Sequence, residues 1–291
     1  MSILLDNRTR VIVQGLTGRE GSFHARIMRD YGTRIVGGVT PGKGGLVHEG
    51  IRVFDTVAEA KEETDAEATI IFVPKSAAVD SAVEAIRAGL RLIVCTTDGI
   101  PVHDMLPVRA MARDAGCLLV GPNCPGVISP GKGKMGFMPG HVYSPGPIGM
   151  IAKSGSLSYE VAYELTRSGM GQSTVVGIGG DVVKGCSFVD LLPLFAGDPE
   201  TRVLVLLGEI GGTEEERAAD WLAGNRIPMP VIAYMVGRTA PHGVKMGHPG
   251  TLFAQDDRSY ARKVERLRAV GATIATSPWE IAATANSMIG R

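Results

Sequence analysis

The stretch VIVQGLTGREG, Val11 to Gly21, runs from a short apolar strand through a tight glycine turn into the start of a helix. Small residues at such a turn let backbone N–H groups approach a phosphate, and the helix N-terminus adds a favourable potential. Its glycines are spaced G-x-x-G-x-x-G, not the G-x-G-x-x-G of dinucleotide sites, and patterns like this also occur as plain βα connections.

Outward from this unit, apolar runs of strand length alternate with helical patterns, which predicts an α/β fold of parallel sheets with crossover helices. Up to residue 121 the strand runs are Arg10 to Gln14, Arg34 to Val39, Ala68 to Val73, Leu90 to Cys95 and Cys117 to Val120. A Pro/Gly-rich stretch, 122–147, reads as a junction poor in regular structure. The alternation restarts at Ile148 and gives strands near Ile148 to Ala152, Ser173 to Gly177, Val203 to Leu207, Val231 to Met235 and Thr273 to Ala275. A chain of 291 residues suits two such domains, 1–121 and 148–291.

Thirty Lys and Arg balance thirty Asp and Glu, so neither a nucleic acid nor an anionic membrane is indicated as the main partner. No run approaches the roughly 20 apolar residues of a membrane span. The start, MSILLDNRTR, lacks the pattern of a signal peptide, and four cysteines without metal-type spacing need no oxidising compartment. A cytoplasmic protein is the simplest expectation.

An NAD site wants an acidic residue about 20 residues beyond the first glycine turn. Lys43 stands there instead, in the loop TPGKGG, which favours CoA or an NADP-like ligand over NAD. The loop lacks the spacer and hydroxyl of a P-loop, and no P-loop occurs in the chain. Two more loops, Thr96-Thr97-Asp98-Gly99 and GPNCPG with Asn123 and Cys124, follow later strands and fall at the same carboxyl edge. The Pro-rich setting of Cys124 suggests an exposed thiol near a thiol ligand, with a packed cysteine the alternative.

In the second half, KSGSLSYE, GIGGD, GEIGG and GRTAPHGVKMGHPG follow successive strands at one sheet edge. Ser154, Gly155 and Ser156 make a helix start with hydroxyl caps, an anion site. His248 lies in a glycine- and proline-flanked loop of that edge, although a lone histidine is more often unremarkable. A phosphorylated imidazole needs N–H donors around it, and these loops supply them. Glu209 either orients the ring through its second nitrogen or is a solvated loop carboxylate.

GLTGREGSFH, GGVTPGKGG, GPNCPGVISPG, GIGGD, GEIGG and TAPHGVKMGH together resemble, in order and spacing, the succinyl-CoA synthetase alpha subunit family, with its malate- and citrate-using relatives. The resemblance spans essentially the whole chain. It implies a Rossmann-like CoA-binding domain followed by a flavodoxin-like ligase domain, and a beta subunit carrying the ATP-grasp site for ATP or GTP with magnesium, as αβ or α2β2. It implies that Thr17, Gly18, Arg19, Glu20, Lys43, Thr96, Thr97 and Asp98 contact CoA, that Tyr159 approaches the acyl substrate, and that His248 is phosphorylated. The family usually has Glu at Asp98, Arg at Lys153, Pro at Val182 and Ala-Gly-Ala at Pro249-Gly250-Thr251, and the last two departures leave the identity of the acid open. A citryl-CoA or malyl-CoA synthetase is the near alternative, and a non-catalytic CoA- or NADP-binding regulator the distant one.

Overall fold

The computed structural model describes residues 2–240, 247–251 and 260–289. They divide into two compact units, Ile3–Met138 with Val183–Cys186, and Pro139–Val182 with the chain from Ser187 onward.

The first unit contains β1 (Val11–Gln14), α1 (Arg19–Asp30), β2 (Ile35–Val39), β3 (Val47–His48), β4 (Ile51–Phe54), α2 (Val57–Thr64), β5 (Ala68–Ile71), α3 (Lys75–Arg87), β6 (Leu92–Cys95), α4 (Val102–Asp114) and β7 (Leu118–Val120). Its sheet runs β3-β4-β2-β1-β5-β6-β7, parallel except for the antiparallel β3–β4 edge. The six parallel strands follow the 3-2-1-4-5-6 order of dinucleotide-binding folds, so the chain reverses direction between β1 and β5 and opens a crevice there. β1, β5 and β6 are buried along their whole length, which is why they read as continuous apolar runs.

The second unit contains β10 (Pro145–Ala152), α5 (Gly155–Arg167), β11 (Gln172–Gly177), α6 (Phe188–Ala196), β12 (Val203–Glu209), α7 (Glu214–Gly224), β13 (Val231–Val236), α8 (Tyr260–Ala269), β14 (Thr273–Ala275) and α9 (Pro278–Ile289), numbered after a hairpin described below. Its parallel strands are ordered β14-β13-β12-β10-β11. That is the 2-1-3-4-5 order of flavodoxin-like sheets, with the reversal between β10 and β12. The five strands expected in this half are the five observed.

Two features depart from the sequence reading. β3 and β4 are absent from the expected strands: IRVF is four residues long, hemmed between Gly50 and Asp55, and becomes a strand by pairing with β2 on one side and the two-residue β3 on the other. Residues 122–147, expected to lack regular structure, hold the hairpin β8 (Gly126–Ser129) and β9 (Gly133–Gly136), and β10 begins at Pro145. The glycines that signal a loop here mark a close approach of two backbones. A Cβ on Gly126 would lie 1.9 Å from the Met135 carbonyl oxygen, and one on Gly136 would lie 2.1 Å from that of Pro125. Gly126→Ala is therefore expected to lower stability by about 1–3 kcal/mol, read as a reduced urea midpoint at unchanged slope.

Candidate active site and its supporting ion cluster

In the first unit, the loops after β1 and β2 meet. The Lys43 ammonium donates to Thr17 Oγ1 at 3.1 Å, and the Thr17 N–H and hydroxyl lie 3.4 and 3.3 Å from Thr40 Oγ1. No side chain caps α1 at Gly18, so its first-turn N–H groups are left facing the edge beside a fixed cation. Gly18, Arg19 and Glu20 are exposed there. Thr96 is buried, its hydroxyl donating to the Ile71 carbonyl, whereas Thr97, bonded to the Val73 carbonyl, and Asp98 stand further out. Asn123 adopts a positive φ and its N–H donates to the Thr97 carbonyl, drawing the fourth loop against the third. Cys124 corrects an expectation: it is buried, and its thiol points at the Cys95 and Val120 carbonyls at 3.2 and 3.6 Å. The thiol is turned inward, toward the carbonyls at the ends of β6 and β7.

In the second unit, the residues at the reversal point converge. Ser154 caps α5, accepting from the Leu157 N–H at 3.4 Å, with Ser156 Oγ 3.3 Å away; Gly155 opens the helix, and Tyr159 lies within its first two turns, partly buried. Glu209 ends β12, and its Oε2 lies 2.8 Å from His248 Nδ1. Glu209 is thus paired with the ring and is not a solvated loop carboxylate, its side chain 9% exposed against 32% for the histidine. The ring rests on the Cα of Gly180, where a Cβ would lie 2.3 Å from His248 Cγ. Thr251 returns to the His248 carbonyl through its N–H at 3.0 Å and its hydroxyl at 2.7 Å, so the side chain that departs from the family pattern locks the turn after the histidine. Residues 241–246 of the same loop, part of the TAPHGVKMGH motif, lie outside the described residues.

Beneath this pair lies a group that sequence reasoning missed. Glu215 Oε1 accepts from the Glu209 N–H at 3.1 Å and meets the Lys153 ammonium at 2.8 Å, while Oε2 takes the Lys263 ammonium. Lys263, fully buried, also donates to the Glu209 and Gly211 carbonyls at 2.9 and 2.6 Å. Burial alone would raise the Glu215 carboxyl, but the two ammoniums outweigh it and hold Glu215 down to about 2. Burial likewise works against the Lys153 charge, and Glu215, Glu214 and Glu209 overcome it, lifting the ammonium above its ordinary value. Lys263 ends below its ordinary value, because burial and the Lys153 charge outweigh its carboxylate partners. Neither the run Glu214-Glu215-Glu216 nor Lys263 is among the residues singled out from the sequence. No local signal separates them from surface residues.

Two doubly wound sheets, one with a cation-braced glycine edge and one with a carboxylate-oriented histidine beside a capped helix start, define a two-domain α/β protein of the nucleotide-binding kind. Residues 6–99 match the CoA binding domain family and residues 151–273 the CoA-ligase family. The chain is 49% identical over 282 residues to the Archaeoglobus fulgidus succinate–CoA ligase [ADP-forming] subunit alpha 2, covering 97% of this chain and 98% of that one. It is 47% identical to the Methylorubrum extorquens malate–CoA ligase subunit alpha, over 100% of this chain and 99% of that one. In fold it is similar to the Methanosaeta concilii ATP citrate lyase, with a TM-score of 0.90 at 22% identity over 98% of this chain and 51% of that one. The chain belongs to the succinate–CoA ligase alpha subunit family, and it is the alpha subunit of an acid–thiol ligase that uses CoA.

The depressed Glu215 value has a pH consequence of definite sign. A carboxyl held below its unfolded value of 4.5 adds stability above that pH, and the gain is lost as pH falls toward about 2. Denaturant midpoints measured from about pH 6 down to about pH 3 should fall steeply in the native protein and distinctly less in Glu215→Gln.

Proposed function

We propose that this chain is the CoA-binding, phosphohistidine-carrying subunit of a succinate–CoA ligase that cleaves ATP or GTP. The observation that carries the reading is the 2.8 Å contact between Glu209 Oε2 and His248 Nδ1. A carboxylate accepting the Nδ1 proton puts the ring's lone pair on Nε2, in a side chain that is still one-third open. Nε2 attacks the terminal phosphorus of the nucleoside triphosphate and the diphosphate leaves. The phosphoryl group then passes from Nε2 to the substrate carboxylate, restoring the imidazole. Last, the CoA thiol attacks the acyl carbon of the acyl phosphate and phosphate departs. The α5 amides behind Ser154 and Gly155 suit the phosphoryl group in transit, and Tyr159 suits the acid. Thr17–Glu20, Lys43, Thr97 and Asp98 suit the CoA phosphates and ribose, with Thr96, Asn123 and Cys124 shaping the loops around them.

In this reading the nucleotide, with its magnesium, sits on a beta subunit of ATP-grasp type in an αβ or α2β2 assembly. Work in the cytoplasm is part of the same reading. Among the described residues no helix is long and apolar enough to cross a membrane. Malate as the acid is the second reading, favoured by the similarity to the Methylorubrum relative; Val182, exposed where the family usually has Pro, leaves the acid open.

Labelled ATP supplied to the complex with the beta subunit should leave acid-labile, base-stable label on the chain, and His248→Asn should abolish it. An unlabelled intact complex would sink the proposal. Lys43→Ala should weaken CoA binding roughly tenfold to a hundredfold, read by calorimetry, while phosphorylation by ATP stays intact. Equal loss of both in a folded protein would overturn the division of labour between the units. Turnover with succinate, malate and citrate decides the acid, with succinate expected to be fastest.

A further inference from the structure

The β10–β12 ladder ends where the Lys153 N–H donates to the Leu207 carbonyl at 3.1 Å. Past that bond the two strands part. One leads into Ser154 and the anion-binding start of α5, the other into Glu209 and the loop under His248. A single side chain from a third element spans the gap. Glu215, from the first turn of α7, reaches Lys153 on one side and the Glu209 N–H on the other with the same oxygen. It lies flat on β12 because residue 208 is glycine: a Cβ there would lie 2.8 Å from Glu215 Cγ. Its second oxygen holds Lys263, which grips the carbonyls of Glu209 and Gly211. Gly211 in turn is the seat of the histidine turn, since a Cβ on it would lie 2.5 Å from the Gly250 carbonyl oxygen and 2.7 Å from Thr251 Cα. Among the described residues, the other charged groups facing the cluster are Glu214, 3.6 Å from Lys153, and Glu216, 4.0 Å from Lys263.

We infer that Glu215 and Lys263 are positioning residues for phosphoryl transfer: they set the Glu209–His248 pair against the α5 anion cradle through Glu209 on one side and Gly211 on the other. Neither touches the imidazole. Both act through the backbone at 209–211, where both the N–H and the carbonyl of Glu209 are held. A carboxylate positioned at two backbone points orients the ring more narrowly than one on an untethered loop, and small displacements of such a group are costly in rate. This inference rests on the phosphohistidine reading given above.

The test uses the complex with the beta subunit and compares native chain, Glu215→Gln and the double variant Glu215→Leu, Lys263→Met. The double variant removes the buried pair as a unit, leaves Lys153 beside Glu214, and covers the case in which the single variant fails to fold. Three quantities are read: the single-turnover rate of His248 labelling by ATP, its final stoichiometry, and the downfield Nδ1–H resonance of His248 in the resting chain. Expected is a rate lower by roughly tenfold to a hundredfold at full stoichiometry, with the resonance shifted or lost and CoA affinity unchanged. Reduced stoichiometry at the native rate, with an unmoved resonance, would mean that the pair only stabilises the fold, and the inference would fall. No label in the native complex would instead overturn the phosphohistidine reading and this inference with it.

Discussion

A carboxylate taken fully out of water is costly unless its charge is met, and in the second unit Glu215 is met twice. The energetic logic of the site follows from that constraint. Two ammoniums are drawn out of solvent to neutralise one carboxylate, and each then has donors to spare. Lys263 donates its own to the carbonyls of Glu209 and Gly211 at and just past the end of β12, where a strand would otherwise finish with unsatisfied groups, so the polar cluster that solves a burial problem also makes the strand end rigid.

The rigidity is placed where a parallel sheet is weakest. Adjacent strands at a reversal point diverge after their last ladder bond, and the loops that follow have no backbone partners in register. Open α/β folds put ligands in this gap because it is concave and rich in free N–H groups. The same openness leaves a catalytic side chain poorly held. Here glycine at 180 lets the imidazole pack on backbone, Thr251 closes the turn behind it, and the ion cluster holds the floor. The first unit answers the same geometric problem with exposed groups, a lysine laid across a threonine hydroxyl, which suits a ligand that brings its own negative charge.

Much of the fold could be read from the chain because parallel strands covered on both faces are continuous apolar runs, and the loops at their carboxyl ends are glycine-rich. β1, β5, β6, β12 and β13 were legible for that reason, as was the capped start of α5. β4 and the β8–β9 hairpin were not, since four residues carry too little pattern and a glycine that separates two backbones looks the same as one that turns a loop.

The amino-acid sequence by itself determined the alternation of the main strands and helices and the two-sheet architecture, which follow from hydrophobic period, and it carried the ordered motifs that resemble the family. Only the tertiary structure decided that Cys124 is buried, that Glu209 faces Nδ1, and that Glu215, Lys153 and Lys263 form one buried cluster. The physical reason is that charge and burial belong to neighbours distant in the chain: a glutamate in an acidic run and a lysine on a helix carry no local mark of being buried until the sheet and its helices bring them face to face.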